Sequence, residues 1–328
     1  MGMQMQLDEL KRLVRAGQFE AITLDTSVFD AQGLKLESGL LKQLEQFKDS
    51  STELIISEVV KEELLSHLTK KTKEIKKNIE NSLRQAENCW NVEDSKIKQI
   101  EQCIFDGYEA EEFVSERFSQ FTENTSLEVI ESQDYLLVKE LMQKYFRSEP
   151  PFVETGKKKN EFPDAIALMS LESWANKNRT KIIAVTHDND WKSFCENSEY
   201  LYCTDDLAGA LGLFQLKDAD DICEYLSDKY KKRTLANLEI AISNALDYQI
   251  GYINIHPEAN SSFIYEGEIE KIRVDGFKFK SVDDTNTIFR PVNFDGDSLT
   301  VESKLIVNVK IECNFSFSVY DSIDKDYV

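Results

Sequence analysis

The sequence predicts an α/β fold: a mostly parallel central sheet flanked by helices, with a helical insertion and a small antiparallel α+β domain at the C-terminal end. Three observations predict it. AITL, LIIS and KIIAV are short, continuously apolar runs, which suits strands buried on both faces of a parallel sheet. Each is followed by segments with apolar residues at i, i+3 and i+4, so strands alternate with helices. After about residue 232 the period changes to simple alternation broken by Asp-Gly steps, which suits antiparallel strands.

Residues 5–16 are expected to form an amphipathic helix with Leu7, Leu10, Leu13 and Val14 on one face. AITLDTSVF is a buried strand that runs into an acidic residue, and Leu40, Leu41, Leu44 and Phe47 mark a helix. ELIIS is the second strand. SEVVKEELLSHL is the helix after it, with Ser57 suited to its N-cap. From about Leu68 to Arg147 the pattern is helical and highly charged. TKKTKEIKKNIENSLRQAENCW reads as one long helix, KIKQIEQCIFDGYEAEEFVSERFSQF as one or two more, SLEVIES as holding a short extended piece, and QDYLLVKELMQKYFRS as an amphipathic helix. Gly107 is the block's one glycine and Pro150-Pro151 closes it, so residues from about 68 to 150 read as an insertion.

GKKKNEFPDAIALMSLESWANKN is a lysine-rich loop leading to a helix with Pro163 in its first turn, where proline is tolerated. KIIAVT is a central strand and DDLAGALGLF holds another helix. DADDICEYLSDKYKKR is a helix with acids first and bases last, in accord with its dipole. The domain boundary falls at 232, giving domains of 1–232 and 233–328. In the second, TLANLEIAISNALDY is a helix, and Asp275-Gly276 and Asp295-Gly296 read as hairpin turns.

Four acidic residues stand where these strands end or helices begin: Asp25, Glu63, Asp164 and Asp188. Singly, each has a plain structural explanation as a turn residue, a solvated helix face, a dipole complement or a cap. Together they have a chemical one, because open parallel sheets gather ligands outside the carboxyl ends of their strands. Hard oxygen donors without His or Cys suit Mg²⁺ or Mn²⁺. Such an ion beside carboxylates points to phosphate chemistry. Glu63 is favoured over Glu62 because it neighbours both Val59 and Val60 on the buried side of its helix. Glu161 and Asp190 are further candidate ligands; Asp190 reads as the better cap of the helix near Trp191, and Asp188 as the better ligand. Thr26, Ser27 and Thr186 are candidate substrate contacts, Thr186 through its hydroxyl. Lys157, Lys158 and Lys159 precede the third acid and are candidate phosphate contacts. Lys70, Lys71, Lys73, Lys76 and Lys77 form a second basic feature, although a charge run is usually a solvated face.

Asp25-Thr26-Ser27, Val59-Val60-Lys61-Glu62-Glu63-Leu64, Pro163-Asp164-Ala165 and Thr186-His187-Asp188-Asn189-Asp190 follow one another in this order. This set resembles the PIN-domain nucleases, above all larger bacterial members with a K-x-x-E-F-P-D-A segment. The resemblance covers roughly residues 20–66 and 155–215. It implies a PIN-like sheet, Mg²⁺ or Mn²⁺ held by Asp25, Glu63, Asp164 and Asp188, and phosphodiester hydrolysis by metal-activated water to 5′-phosphate and 3′-hydroxyl products. It further implies RNA rather than DNA as the substrate; toxin, RNA-processing and antiviral defence roles all fit. The long stretch between the second and third motifs departs from compact members of the family. Two other readings are a PIN-like fold used as a nucleic-acid or protein-binding module, and a metal-dependent phosphatase. An aspartyl-phosphate phosphatase would show a D-x-D pair at the first strand, which Asp25-Thr26-Ser27 does not supply.

Composition sets limits. The formal charge is −21, so a nucleic acid must be held by a local positive feature against a repulsive field. The six cysteines form no C-x-x-C pair and read as small apolar residues in a reducing cytosol. The three histidines lack ligand spacing, so zinc is not expected. No stretch approaches the about 18 apolar residues of a membrane span, and the N-terminal segment lacks the apolar core of a signal peptide. A cytoplasmic protein without membrane contact is the expectation. Neither G-x-G-x-x-G, G-x-x-x-x-G-K-S/T nor G-x-S-x-G occurs, which disfavours dinucleotide enzymes, P-loop NTPases and serine hydrolases. A homo-oligomer or a protein partner would use the insertion or the C-terminal domain.

Overall fold

The computed structural model describes residues 7–48, 50–152, 161–215, 217–253, 255–261, 263–283, 286–321 and 326–327. The lysine-rich loop of Lys157, Lys158 and Lys159 lies outside the described residues. The chain divides into two compact units, Met1–Gln215 and Leu216–Val328.

The first unit opens with α1 (Leu7–Arg15) and β1 (Phe19–Leu24). Then come α2 (Thr26–Ala31), α3 (Gly39–Lys42), a 3₁₀ turn over Gln43–Phe47 and β2 (Glu53–Ser57). α4 follows as one unbroken helix of 33 residues, Glu58–Trp90. The two helices read separately on either side of Leu68 are therefore one, since no glycine or proline interrupts them. Ser57 is the N-cap, as its sequence position suggests; its Oγ accepts from the Val60 N–H at 3.2 Å. Only Val60, Leu64 and Leu68 of α4 are buried, all near its start. Beyond them it packs on α5 (Asp94–Phe105) and α6 (Ala110–Thr125).

β3 (Glu128–Ile130), α7 (Ser132–Tyr135) and α8 (Val138–Arg147) come next. β3 pairs with β2 in parallel, Ile56 opposite Val129. The segment read as an insertion thus contains an edge strand of the core sheet. α9 (Phe162–Asn178) starts with Pro163 in its first turn. β4 (Lys181–Val185), α10 (Asn189–Cys195), β5 (Leu201–Thr204) and α11 (Leu207–Leu213) complete the unit.

All five strands are parallel, in the order β3-β2-β1-β4-β5. The chain builds outwards from β1 to β3, then returns to place β4 on the other side of β1. The point of reversal lies between β1 and β4, where open sheets leave a crevice at the carboxyl edge. Ile22, Ile55, Ile183 and Ala184 in the central strands are fully buried.

In the second unit α12 (Lys217–Lys231) packs on β7, so it joins this unit rather than the first, where a boundary at 232 would leave it. α13 (Ala236–Ile250) packs on β6 (Ile264–Lys280). β6 forms a long antiparallel ribbon with β9 (Lys304–Ser318), while β7 (Arg290–Phe294) and β8 (Leu299–Glu302) form a smaller hairpin. Asp295 closes that hairpin as its sequence suggests, its Oδ1 accepting from the Ser298 N–H at 2.7 Å. Asp275-Gly276 is not a turn. The pairing register shifts between Val274 and Gly276, and again between Ile269 and Lys271, so Asp275 and Glu270 are bulge residues inside one strand. Each extra residue resets the alternation, which keeps Tyr265, Ile269, Ile272, Val274, Phe277 and Phe279 on one face. The two phase shifts are why the sequence looks like separate strands.

Among the described residues no helix is long and apolar enough to cross a membrane.

Candidate active site

β1 ends at Leu24, and Asp25 turns directly into α2 as its N-cap position. The residue is 6% exposed. Thr186, at the end of β4, donates through Oγ1 to Asp25 Oδ2 at 3.0 Å. Ser27 Oγ donates to the same oxygen and accepts from the His187 N–H at 3.1 Å. The ends of β1 and β4 are thereby tied together at the switch point of the sheet.

The other acids join this centre from separate segments. Glu63, on the second turn of α4, accepts from Thr26 Oγ1 at 2.8 Å through Oε2. Glu62 points away and pairs with Lys61 at 3.1 Å. Asp188 follows β4; its N–H donates to Thr186 Oγ1 at 2.9 Å. Asp164, in the first turn of α9, accepts from the indole N–H of Trp191 at 2.9 Å. Trp191 is fully buried.

Several sequence expectations need correction. Asp188, not Asp190, caps α10, its Oδ1 accepting from the N–H groups of Asp190 at 2.6 Å and Trp191 at 3.4 Å. β4 ends at Val185, so Asp188 reaches the cap geometry first. Thr26, Ser27 and Thr186 are not free to donate to a substrate. A hydroxyl has one proton to give, and each gives it to a carboxylate, so these side chains orient the acids. On α4, Lys71 donates to the Gly33 carbonyl at 2.8 Å, Lys73 pairs with Glu111, and Lys76 reaches Glu109 at 3.2 Å. These three lysines fasten α4 to its neighbours, whereas Lys70 and Lys77 are exposed. Cys195 and Cys203, read as unpaired, form a disulfide that joins the end of α10 to β5. Trp191 is the site residue that sequence reasoning missed; a lone Trp after an acidic loop reads simply as core.

The electrostatics mark one neighbourhood. Burial raises the Asp164 carboxyl to about 6 against the pull of the Trp191 N–H, and the charges of Asp188, Asp25 and Glu63 add to the rise. Burial likewise raises Asp25, opposed by Ser27, Thr186 and the Thr26 backbone, with Asp188 pushing the same way. Asp190 is raised by burial and then by the charges of Asp188 and Glu161. Glu161, just before α9, is 5% exposed. At Asp164, Asp25 and Asp190 alike, burial is the larger cause and the neighbouring carboxylate charges add to it.

No three His, Cys, Asp or Glu side chains among the described residues stand in direct ligating array for one ion. The donor set still fits a hard divalent cation. The hydrogen bonds of Glu63, Asp164 and Asp188 each fall on one carboxylate oxygen, leaving the other for a cation or its water. Mg²⁺ keeps several waters and is commonly held by one or two carboxylates.

A five-stranded parallel α/β sheet with acids gathered at the β1–β4 switch point defines an acidic-centre α/β protein. A family model described as a PIN domain matches residues 22–191, more than half of the chain. The chain belongs to the PIN-domain family, whose members are generally nucleases using divalent metal. Neither the curated proteins nor the solved structures give a match.

Proposed function

We propose that this chain is a metal-dependent endonuclease that hydrolyses phosphodiester bonds of RNA through Asp25, Glu63, Asp164 and Asp188, with Mg²⁺ or Mn²⁺. The observation that carries the reading is the hydrogen-bonded frame that joins the four from separate segments: Thr186 holds Asp25, Thr26 beside it holds Glu63, and Trp191, whose backbone N–H donates to Asp188, holds Asp164 through its indole. A bound Mg²⁺ or Mn²⁺ would supply neutralisation of phosphodiester charge and acidification of a water molecule. The protein's own part is orientation. Ser27 and Thr186 fix Oδ2 of Asp25, Thr26 fixes Oε2 of Glu63, and Trp191 fixes Oδ1 of Asp164. Asp164, whose carboxyl burial raises to about 6, would hold a divalent cation in its ionised form. Glu161 and Asp190 are proposed as further ligands.

The choice of RNA rests on the family resemblance. Lys157, Lys158 and Lys159 are proposed phosphate contacts from their place in the sequence just before Asp164.

The test is incubation of the full chain with end-labelled RNA, single-stranded DNA of the same sequence and a chromogenic phosphate ester, with Mn²⁺ or with chelator. Cleavage of RNA at internal sites to 5′-phosphate ends, lost in Asp25→Asn and in chelator, is expected. Hydrolysis of the ester alone would assign a phosphatase. Binding of RNA with no cleavage in Mn²⁺ would assign a binding module.

A further inference from the structure

The second unit carries a charge pattern that its own fold does not explain. One face of the β6/β9 ribbon is apolar, with Tyr265, Ile269, Ile272, Val274, Phe277 and Phe279 on β6 opposite Phe317, Cys313, Ile311, Val309, Val307 and Leu305 on β9. Its other face is segregated by charge along its length. Glu266 and Glu268 lie at one end and Glu312 stands opposite Lys271; beyond these, Arg273, Lys278 and Lys280 on β6, with Lys304 and Lys310 on β9, make the remainder cationic. All six cations are exposed.

Their register is unfavourable in the free protein. Arg273 stands directly opposite Lys310, and Lys280 directly opposite Lys304. Like charges in directly opposed positions destabilise a strand pair. The chain has 60 acidic residues against 39 basic ones, so acidic neighbours are not scarce. Yet none of Lys271, Arg273, Lys278 and Lys280 has an ion-pair partner among the described residues. Lys310 reaches only Glu312 on its own strand, at 3.7 Å, and Lys304 donates to the Val282 carbonyl at 2.7 Å. A repulsive cationic face on a strongly acidic chain is stabilised when a polyanion lies along it.

We propose that the basic face of this ribbon binds the sugar–phosphate backbone of a nucleic-acid strand. The proposal rests on the nuclease reading for its choice of polyanion; the charge complementarity stands without it. The cations at residues 278 and 280 project from the same face two residues apart, about 7 Å along a strand, so one ribbon offers a row of phosphate contacts. Glu266 and Glu268 repel the backbone at the far end and limit the footprint. The contacts are to phosphate, so they carry no sequence preference.

The experiment uses the full chain carrying Asp25→Asn, in chelator, so that binding is read apart from cleavage. Affinity for fluorescent single-stranded RNA, and for DNA of the same sequence, is measured across a salt series. Neutralising three cations together (Arg273→Gln, Lys278→Gln, Lys280→Gln) should weaken binding about a hundredfold at 0.1 M salt and flatten the log-affinity against log-salt slope by about 2. Glu266→Gln with Glu268→Gln should leave affinity unchanged or raise it. The melting temperature of the triple variant should hold or rise, because like-charge pairs are removed. Lys278→Gln alone faces Ile306 and reports binding without relieving a like-charge pair. Affinity and slope unchanged in the triple variant overturn the inference while leaving the nuclease reading in place. A parent chain that binds neither strand, but sediments with anionic-lipid vesicles or self-associates through these residues, also overturns it. Binding that depends on the ribbon, with no cleavage by the native chain in Mn²⁺, would sink the nuclease reading alone.

Discussion

Replacing Asp164 by Asn should stabilise the metal-free protein at neutral pH and remove part of its pH dependence. The carboxyl of Asp164 moves from the ordinary 3.8 to about 6. Full conversion of that difference is about 3 kcal/mol. The side chain is only partly buried, and solvent screening brings this to about 2 kcal/mol. The sign follows from proton binding. The folded state holds the Asp164 proton more tightly than the unfolded chain, so stability falls as pH rises from about 4 to about 6, and the full cost is present above that. Asparagine keeps an oxygen to accept from Trp191 but never ionises. In chelator, Asp164→Asn and the native chain should melt together near pH 4. Near pH 7.5 the variant should melt higher by about 4–8 °C, the shift expected of about 2 kcal/mol in a unit of this size. Differential scanning calorimetry across this range checks it. A constant gap at all pH values, or a variant that is less stable at neutral pH, would refute the argument that repulsion and burial strain this carboxylate.

Trp191→Phe removes the donor to Asp164 and should cost about 1.5–3 kcal/mol in urea unfolding near pH 8, but less near pH 5, where Asp164 is largely protonated; equal losses at both would place the effect in packing. Reduction of the Cys195–Cys203 disulfide, or Cys203→Ala, frees a loop with a sequence separation of 8 and should lower stability by roughly 2.5 kcal/mol; an unchanged melting temperature in dithiothreitol would show that the bond contributes nothing. Mn²⁺ should raise the melting temperature of the native chain and not of Asp25→Asn, since a cation relieves repulsion only where the acids are intact; an equal rise in both would locate the ion elsewhere on this acidic surface.

The parts of the fold that could be read from sequence are those whose signal is local. β1, β2 and β4 are continuous apolar runs because both faces are covered, and the acids after them follow from where parallel strands end. β3 was barely visible: three residues at a sheet edge carry too little pattern, and Glu128 is exposed. The continuity of α4 was obscured by the change from apolar to charged composition at Leu68, although no breaker occurs there. The bulges at Glu270 and Asp275 disguised one strand as two, since period-2 reading fails at each added residue. The hydroxyl locks on Asp25 and Glu63 join residues 161 and 37 positions apart. Sequence can nominate such groups, but only the packed sheet decides whether a hydroxyl faces a substrate or a carboxylate. The pairing of Cys195 with Cys203 likewise depends on α10 turning back along β5.

α4 has a mechanical consequence for the acidic centre. Its 33 residues form a rod of about 50 Å; its buried side chains are Val60, Leu64 and Leu68, near its start, and Lys71, Lys73 and Lys76 tie the next turns to their neighbours. Glu63 sits between Val60 and Leu64, at the fulcrum, while Trp90 lies roughly 40 Å away along the axis. A swing of about 5 Å at that far end shrinks, in proportion to the lever arms, to a few tenths of an ångström at Glu63. The far end of α4 can therefore be pulled or pushed while the carboxylate stays in register with Thr26.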